Sequence, residues 1–115
     1  MKPEEEVILE AVTSNDAGED TTMTVDETLK QRGSRYGSFK NHAHISLTLR
    51  TAIFSHYGQT HPQGPNLSPS QIEALTMICH KLGRIANGDA FYDDSWKDIA
   101  GYAELIVKEL QGIEV

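Results

Sequence analysis

"SPSQIEALTMICHKLGRIANGD", residues 68–89, is the stretch whose spacing decides the fold class. Ser68 stands where a helix N-cap belongs, with a hydroxyl able to accept from the first turn. Pro69 suits the first helical position, because the N–H it lacks would have no intrahelical partner there. Gln71, three residues after the cap, can reach back to the Ser68 N–H and complete a capping box. Behind these start signals Ile72, Leu75, Ile78, Cys79, Leu82 and Ile85 recur with helical period, and Asn87-Gly88 ends the run. The pattern predicts a helix that starts at Pro69, keeps one apolar side and runs until Asn87-Gly88.

Toward the C-terminus, residues 89–93 turn the chain and a further helix starts near Asp93 or Asp94, either of which suits an N-cap. Its apolar side is expected to hold Trp96, Ile99, Ala100, Ala103, Val107 and Leu110. The short link makes these last two helices antiparallel neighbours. Toward the N-terminus, "GQTHPQGPNLSPS" (58–70) concentrates Gly and Pro, which excludes a helix interior and a central strand and predicts a long surface loop. Before it, Ile45, Leu49, Ala52, Ile53 and Phe54 keep helical spacing from Asn41 to Tyr57, with Gly58 closing the run. Earlier still, "TVDE" (24–27) is a capping box that opens a helix carrying Val25, Leu29, Lys30 and Arg32 and stopping at Gly33. "GSRYGSFKN" (33–41) is expected to be a loop. No segment alternates with period two, so the fold class is all-α, a single domain of four helices over residues 24–115. A first helix this short leaves a limited core, which favours a homo-oligomer.

Residues 1–23 are acidic and carry the breaker run "TSNDAGEDTT", a composition that buries little apolar surface against its ordering entropy. They are expected to form a mobile leader. Across all 115 residues, 10 Lys and Arg face 17 Asp and Glu, a formal charge of −7 that repels a DNA duplex. No apolar run approaches the roughly 20 residues that cross a bilayer. The lone Cys79 excludes an internal disulfide and suits a reducing compartment. A protein of the cytoplasm, with no membrane partner, is the expectation.

The chemistry gathers around residues 81–105. Lys81 and Arg84 lie three apart on their helix, and Asp94, Asp98 and Tyr102 follow one another at one-turn spacing on the next. Antiparallel packing brings the two sets within reach. One account is a salt-bridge cluster that fixes the register of the hairpin. A second lets Asp94 and Asp98 hold Mg²⁺ while Lys81 and Arg84 take phosphate oxygens. In a third, Lys81, Arg84 and Arg35 bind an anionic ligand directly and Tyr36, flanked by Gly33 and Gly37, stacks on a base. His42 and His44 diverge by about 200 degrees on a helix, so they do not chelate one ion together. His80 beside Lys81 is the better-placed histidine. Cys79 and Trp96 are expected in the core, with Phe91 and Tyr92 plugging its end.

"ETLKQRGSRYGSF" (27–39), "LSPSQIEALTMICHKLGRIANGD" (67–89) and "DSWKDIAGYAEL" (94–105), in that order, resemble a family of small bacteriophage and prophage proteins of unknown function. That likeness implies a host bacterial cytoplasm. "SWKDIAGYAEL" is also similar, more weakly, to the last helical motif of the all-α MazG-like nucleotide pyrophosphohydrolases, with Asp98 in the position of the motif's Asp. Ser95 stands where those enzymes carry a carboxylate three residues earlier, and "LTMICHKLGRI" lacks their paired glutamates. The resemblance therefore implies a MazG-like helical, phosphate-recognising fold, multimeric, with a nucleotide or cyclic nucleotide as ligand and binding favoured over hydrolysis. Sequestering such a ligand would disarm a host defence signal. A Mg²⁺-dependent pyrophosphohydrolase is the enzymatic alternative, and an acidic inhibitor of a host protein the alternative from the interaction class.

Overall fold

A computed structural model describes residues 23–115; the expectations for the leader, apart from Met23, lie outside these residues. The described residues contain four helices and no strand: α1 (Val25–Tyr36), α2 (Phe39–Thr60), α3 (Pro69–Asn87) and α4 (Asp93–Leu110). The described residues fall into two units, divided between Arg32 and Gly33.

In the first unit the Thr24 capping box forms in full. The Glu27 N–H donates to Thr24 Oγ1 at 3.1 Å and the Thr24 N–H to Glu27 Oε1 at 2.9 Å. The expected stop at Gly33 is corrected: α1 continues to Tyr36. Glycine is tolerated in a helix at modest cost. The left-handed residue that ends this one is Gly37, at φ +80°, whose N–H donates to the Gly33 carbonyl at 2.9 Å. "SRY" is therefore helix rather than loop.

In the second unit α2 starts at Phe39, two residues earlier than expected, because Ser38 supplies the cap by accepting from the Asn41 N–H at 3.1 Å. It runs through Gly58 to Thr60. The Ser68 box of α3 is complete, with Gln71 N–H to Ser68 Oγ at 3.1 Å and Ser68 N–H to Gln71 Oε1 at 2.8 Å. The N-cap of α4 is Tyr92, with no side-chain cap bond, which corrects the expectation of an Asp cap. Asp93 and Asp94 fall in the first turn, where a negative charge complements the helix dipole.

Helix α3 lies between α2 and α4 and packs on both, while among the described residues α2 and α4 do not meet. Small and polar side chains line these contacts: Ala74, Cys79 and Gly83 of α3, His42 and Ser46 of α2, and Ser95 of α4 are buried. The expected apolar side of α4 is rotated. Ser95, Ile99, Tyr102 and Ile106 are its buried and half-buried residues toward α3, whereas Trp96, Ala100, Ala103, Val107 and Leu110 are exposed. The Lys81–Asp98 ion pair, at 2.9 Å, draws the polar flank of α4 toward α3. Among the described residues no helix is long and apolar enough to cross a membrane.

Candidate functional site

Two turns interlock at the C-terminal end of α3. The Asn87 Nδ2 group donates to the Tyr36 carbonyl at 2.9 Å and to the Ser38 carbonyl at 3.0 Å, and the Asp89 N–H donates to the Arg35 carbonyl at 2.9 Å. Glycines permit this approach. A Cβ at Gly88 would fall on the Arg35 carbonyl oxygen and the Tyr36 backbone, and one at Gly37 on the Asn87 carbonyl. The end of α1, the start of α2 and the turn into α4 are thereby joined through the Asn87 side-chain amide and backbone groups.

This joint places two guanidinium–tyrosine pairs beside each other. The Arg84 guanidinium lies over the Tyr36 ring, 4.2 Å from its centroid, and that of Arg35 over the Tyr92 ring at 3.8 Å. The two tyrosine rings are 6.4 Å apart and tilted by 53°. Arginine–aromatic stacking of this kind is attractive in itself. The Tyr92 hydroxyl donates to Asp94 Oδ2 at 2.7 Å. That bond is the first cause raising the Tyr92 pKa above its usual range, ahead of burial.

One turn back along α3, Lys81 pairs with Asp98; the lysine side chain is 12% exposed and the carboxylate 48%. Tyr102 lies half-buried here, its pKa raised first by burial and then by the Asp98 and Glu73 charges. Behind the cations the His42 and His80 rings meet edge to face, with centroids 4.4 Å apart, and His42 Nε2–H donates to the His80 carbonyl at 2.9 Å. Burial, then the charges of Arg84, His42 and Lys81, push the His80 imidazole down to about 3. Burial is also the main cause lowering His42, with the bond to His80 acting against it and Arg84 and Lys81 acting with it. Both rings are neutral near neutrality, so the positive charge of the cluster sits on Lys81, Arg84 and Arg35.

The structure brings Arg35, Tyr36 and Arg84 together, and joins Lys81 to Asp98 with Tyr102 alongside. Asp94 is instead engaged by Tyr92. Among the described residues no three His, Cys, Asp or Glu side chains gather in a metal-holding group. Sequence reasoning passed over Asn87 and His42 as parts of this end and expected Phe91 and Tyr92 to plug the core there, whereas Phe91 is 95% exposed and Tyr92 stacks on Arg35. Asn-Gly at 87–88 marked a turn, but nothing local indicated that the amide would reach Tyr36 and Ser38. Cys79 is buried as expected, and burial raises its thiol pKa. Compared with known proteins, the chain matches no family model, no curated protein and no solved structure.

Proposed function

We propose that the protein binds a phosphorylated, nucleotide-type ligand at the end of α3 and does not turn it over. The observation that carries this is the paired stacking of Arg84 on Tyr36 and of Arg35 on Tyr92. It keeps two planar cations and two aromatic rings within one small region, the two kinds of group that a phosphate and a base require. In this reading Arg84 and Arg35 take phosphate oxygens, Lys81 joins them by exchanging its Asp98 partner for phosphate, Tyr36 lies against the base and Tyr102 lines the Lys81 side. The weak resemblance to nucleotide pyrophosphohydrolases points to the same ligand class. The resemblance to phage proteins adds the role, a phage protein in the host cytoplasm that holds a nucleotide or cyclic nucleotide signal away from its receptor.

Binding without turnover is favoured by the state of the carboxylates. Asp98 is paired with Lys81 and Asp94 with the Tyr92 hydroxyl, so each is already engaged. Mg²⁺ needs near-octahedral oxygen coordination, which two such carboxylates complete only with the help of ligand phosphates and water.

Thermal unfolding of the full chain against a panel of linear and cyclic nucleotides, with and without Mg²⁺, is the test. A ligand at about a hundred times its dissociation constant stabilises by roughly 2.7 kcal/mol. Arg84→Lys keeps the charge but loses the planar fork and is expected to weaken binding at least about tenfold while leaving the fold intact. A panel without any shift would overturn the reading, and release of pyrophosphate or monophosphate from any member would replace it with hydrolysis.

A further inference from the structure

Trp96, Ala100, Ala103, Val107 and Leu110 step along α4 at spacings of four and three residues, the seam of a coiled-coil helix. At 100 degrees per residue this seam lies about a quarter turn from the side of α4 that meets α3. It is uncovered within the described residues. Trp96 is 52% exposed, Val107 46% and Leu110 71%, and both alanines are exposed. Helices α2, α3 and α4 form a row with α3 in the middle, and a single layer of helices has no second layer to take its apolar side.

We propose that this seam is closed by a second copy of the chain, with α4 packed antiparallel on the partner's α4 about a two-fold axis. The order of side chains argues for that occupant. Antiparallel docking centred between Gly101 and Tyr102 sets Trp96 against the partner's Val107, Ala100 against the partner's Ala103, and the same two layers again in reverse. Large side chains thus fill the outer layers, while the alanine layers let the helix axes come close. Parallel docking would oppose Trp96 to the partner's Trp96.

Charge flanking the seam points the same way. Lys97 pairs with Asp93 at 3.0 Å and Lys108 with Glu104 at 3.2 Å along the exposed edge of α4. Lys97 and Glu104 hold the same heptad position next to the seam, and in the antiparallel arrangement Lys97 comes opposite the partner's Glu104 on each side of the axis. The two-fold operation joins the two intrahelical pairs into one alternating acid–base row and repeats it. A foreign helix has no reason to supply this complementary order; a second copy carries it by symmetry. The inference stands independently of the ligand proposed above.

Sedimentation equilibrium of the full-length chain, together with the emission of Trp96, the only tryptophan, tests it. The expected result is a reversible dimer at tens of micromolar whose tryptophan emission moves to longer wavelength on dilution. Ala103→Glu is expected to leave a monomer with unchanged far-ultraviolet circular dichroism, since the position is exposed. Lys97→Glu is expected to weaken dimerisation about tenfold by setting like charges opposite each other. Adding Glu104→Lys to the same chain restores the pairing and most of the affinity. A full-length chain that stays monomeric throughout overturns the proposal, as does a dimer indifferent to Ala103→Glu or to the single charge reversal; a monomer with shielded Trp96 emission would assign the seam to residues 1–22.

Discussion

The C-terminal end of α3 is held by the Asn87 side-chain amide, bonded to the Tyr36 and Ser38 carbonyls, and by the close approach of the Gly37 and Gly88 backbone to its neighbours, whereas its N-terminal end is held by adjustable side chains beside open space. At the N-terminal end the Ser68–Gln71 box satisfies itself. Around it Ala52, Ile53, Leu67 and Leu75, with Tyr57 and His61, line an open, mostly apolar groove of about 470 Å³. The Tyr57 and His61 rings stack at 3.9 Å, and the Tyr57 hydroxyl holds the loop by donating to the Pro65 carbonyl at 2.7 Å. Where main chain lies against its neighbours this closely, as at Gly37 and Gly88, there is no rotamer to adjust at the glycine itself. Where contacts are made by side chains beside open space, a change is absorbed. The candidate ligand residues belong to the first kind of region, which suits groups that must be held in place before a ligand arrives.

The sharpest way to break this comparison is to add one carbon at the tight end. Gly37→Ala meets two costs, a left-handed φ of +80° and a Cβ on the Asn87 carbonyl. Each is worth about 1–3 kcal/mol. Gly88→Ala has no left-handed φ to adopt, φ there being −138°, and meets the overlap with Arg35 and Tyr36. Urea denaturation is expected to show Gly37→Ala as the more destabilised of the two and Gly88→Ala down by about 1–3 kcal/mol. A silent Gly88→Ala would mean that the turns do not interlock.

A second test uses the buried His42 and half-buried His80 beside this joint. A Cβ at Gly83 would meet a His42 ring carbon at 2.8 Å, so α2 and α3 have closed on the ring. The unfolded chain takes a proton on His80 near its ordinary value of 6.5, while the folded protein does not until about 3. The unfolded state therefore binds more protons in that window, so this contribution to stability is intact above 6.5 and lost as the pH falls. The loss approaches about 1.4 kcal/mol per pH unit for each such histidine. Urea midpoints taken from about pH 7 to about pH 5 should fall, and His80→Gln should remove one histidine's share of the slope. An unchanged slope in that variant would place His80 in water.

The difference between the two regions also explains how much was legible before the structure. Both capping boxes, at Thr24 and Ser68, are interactions over three residues, so their residue types and spacing suffice. The Lys81–Asp98 pair was legible too, because helical spacing and antiparallel neighbours bring those positions together without further detail. The end of α1 was not. Gly33 and Gly37 are both glycines after an amphipathic run, and what separates them is the approach of Asn87, fifty residues away, to the second one. The same non-local contact decides that Arg35 reaches Tyr92 and Arg84 reaches Tyr36. The facing side of α4 was hidden for another reason. Periodicity finds the more apolar stripe, Trp96 to Leu110, yet the side that meets α3 is the one carrying Ser95, Tyr102 and the carboxylate that Lys81 seeks.

The smallest expected effect has the opposite sign and comes from the loose end. Gly58 lies inside α2, near the apolar groove, and a Cβ there would meet nothing within 4 Å. With no overlap to oppose it, the helix-propensity gain of alanine over glycine is what remains, about 0.5–1 kcal/mol. Gly58→Ala should therefore raise the urea midpoint slightly where Gly88→Ala lowers it, although both exchange hydrogen for methyl. A destabilised Gly58→Ala would mean that this end of α2 is as closely fitted as the other. The contrast from which the placement of Arg35, Tyr36 and Arg84 draws its significance would then be gone.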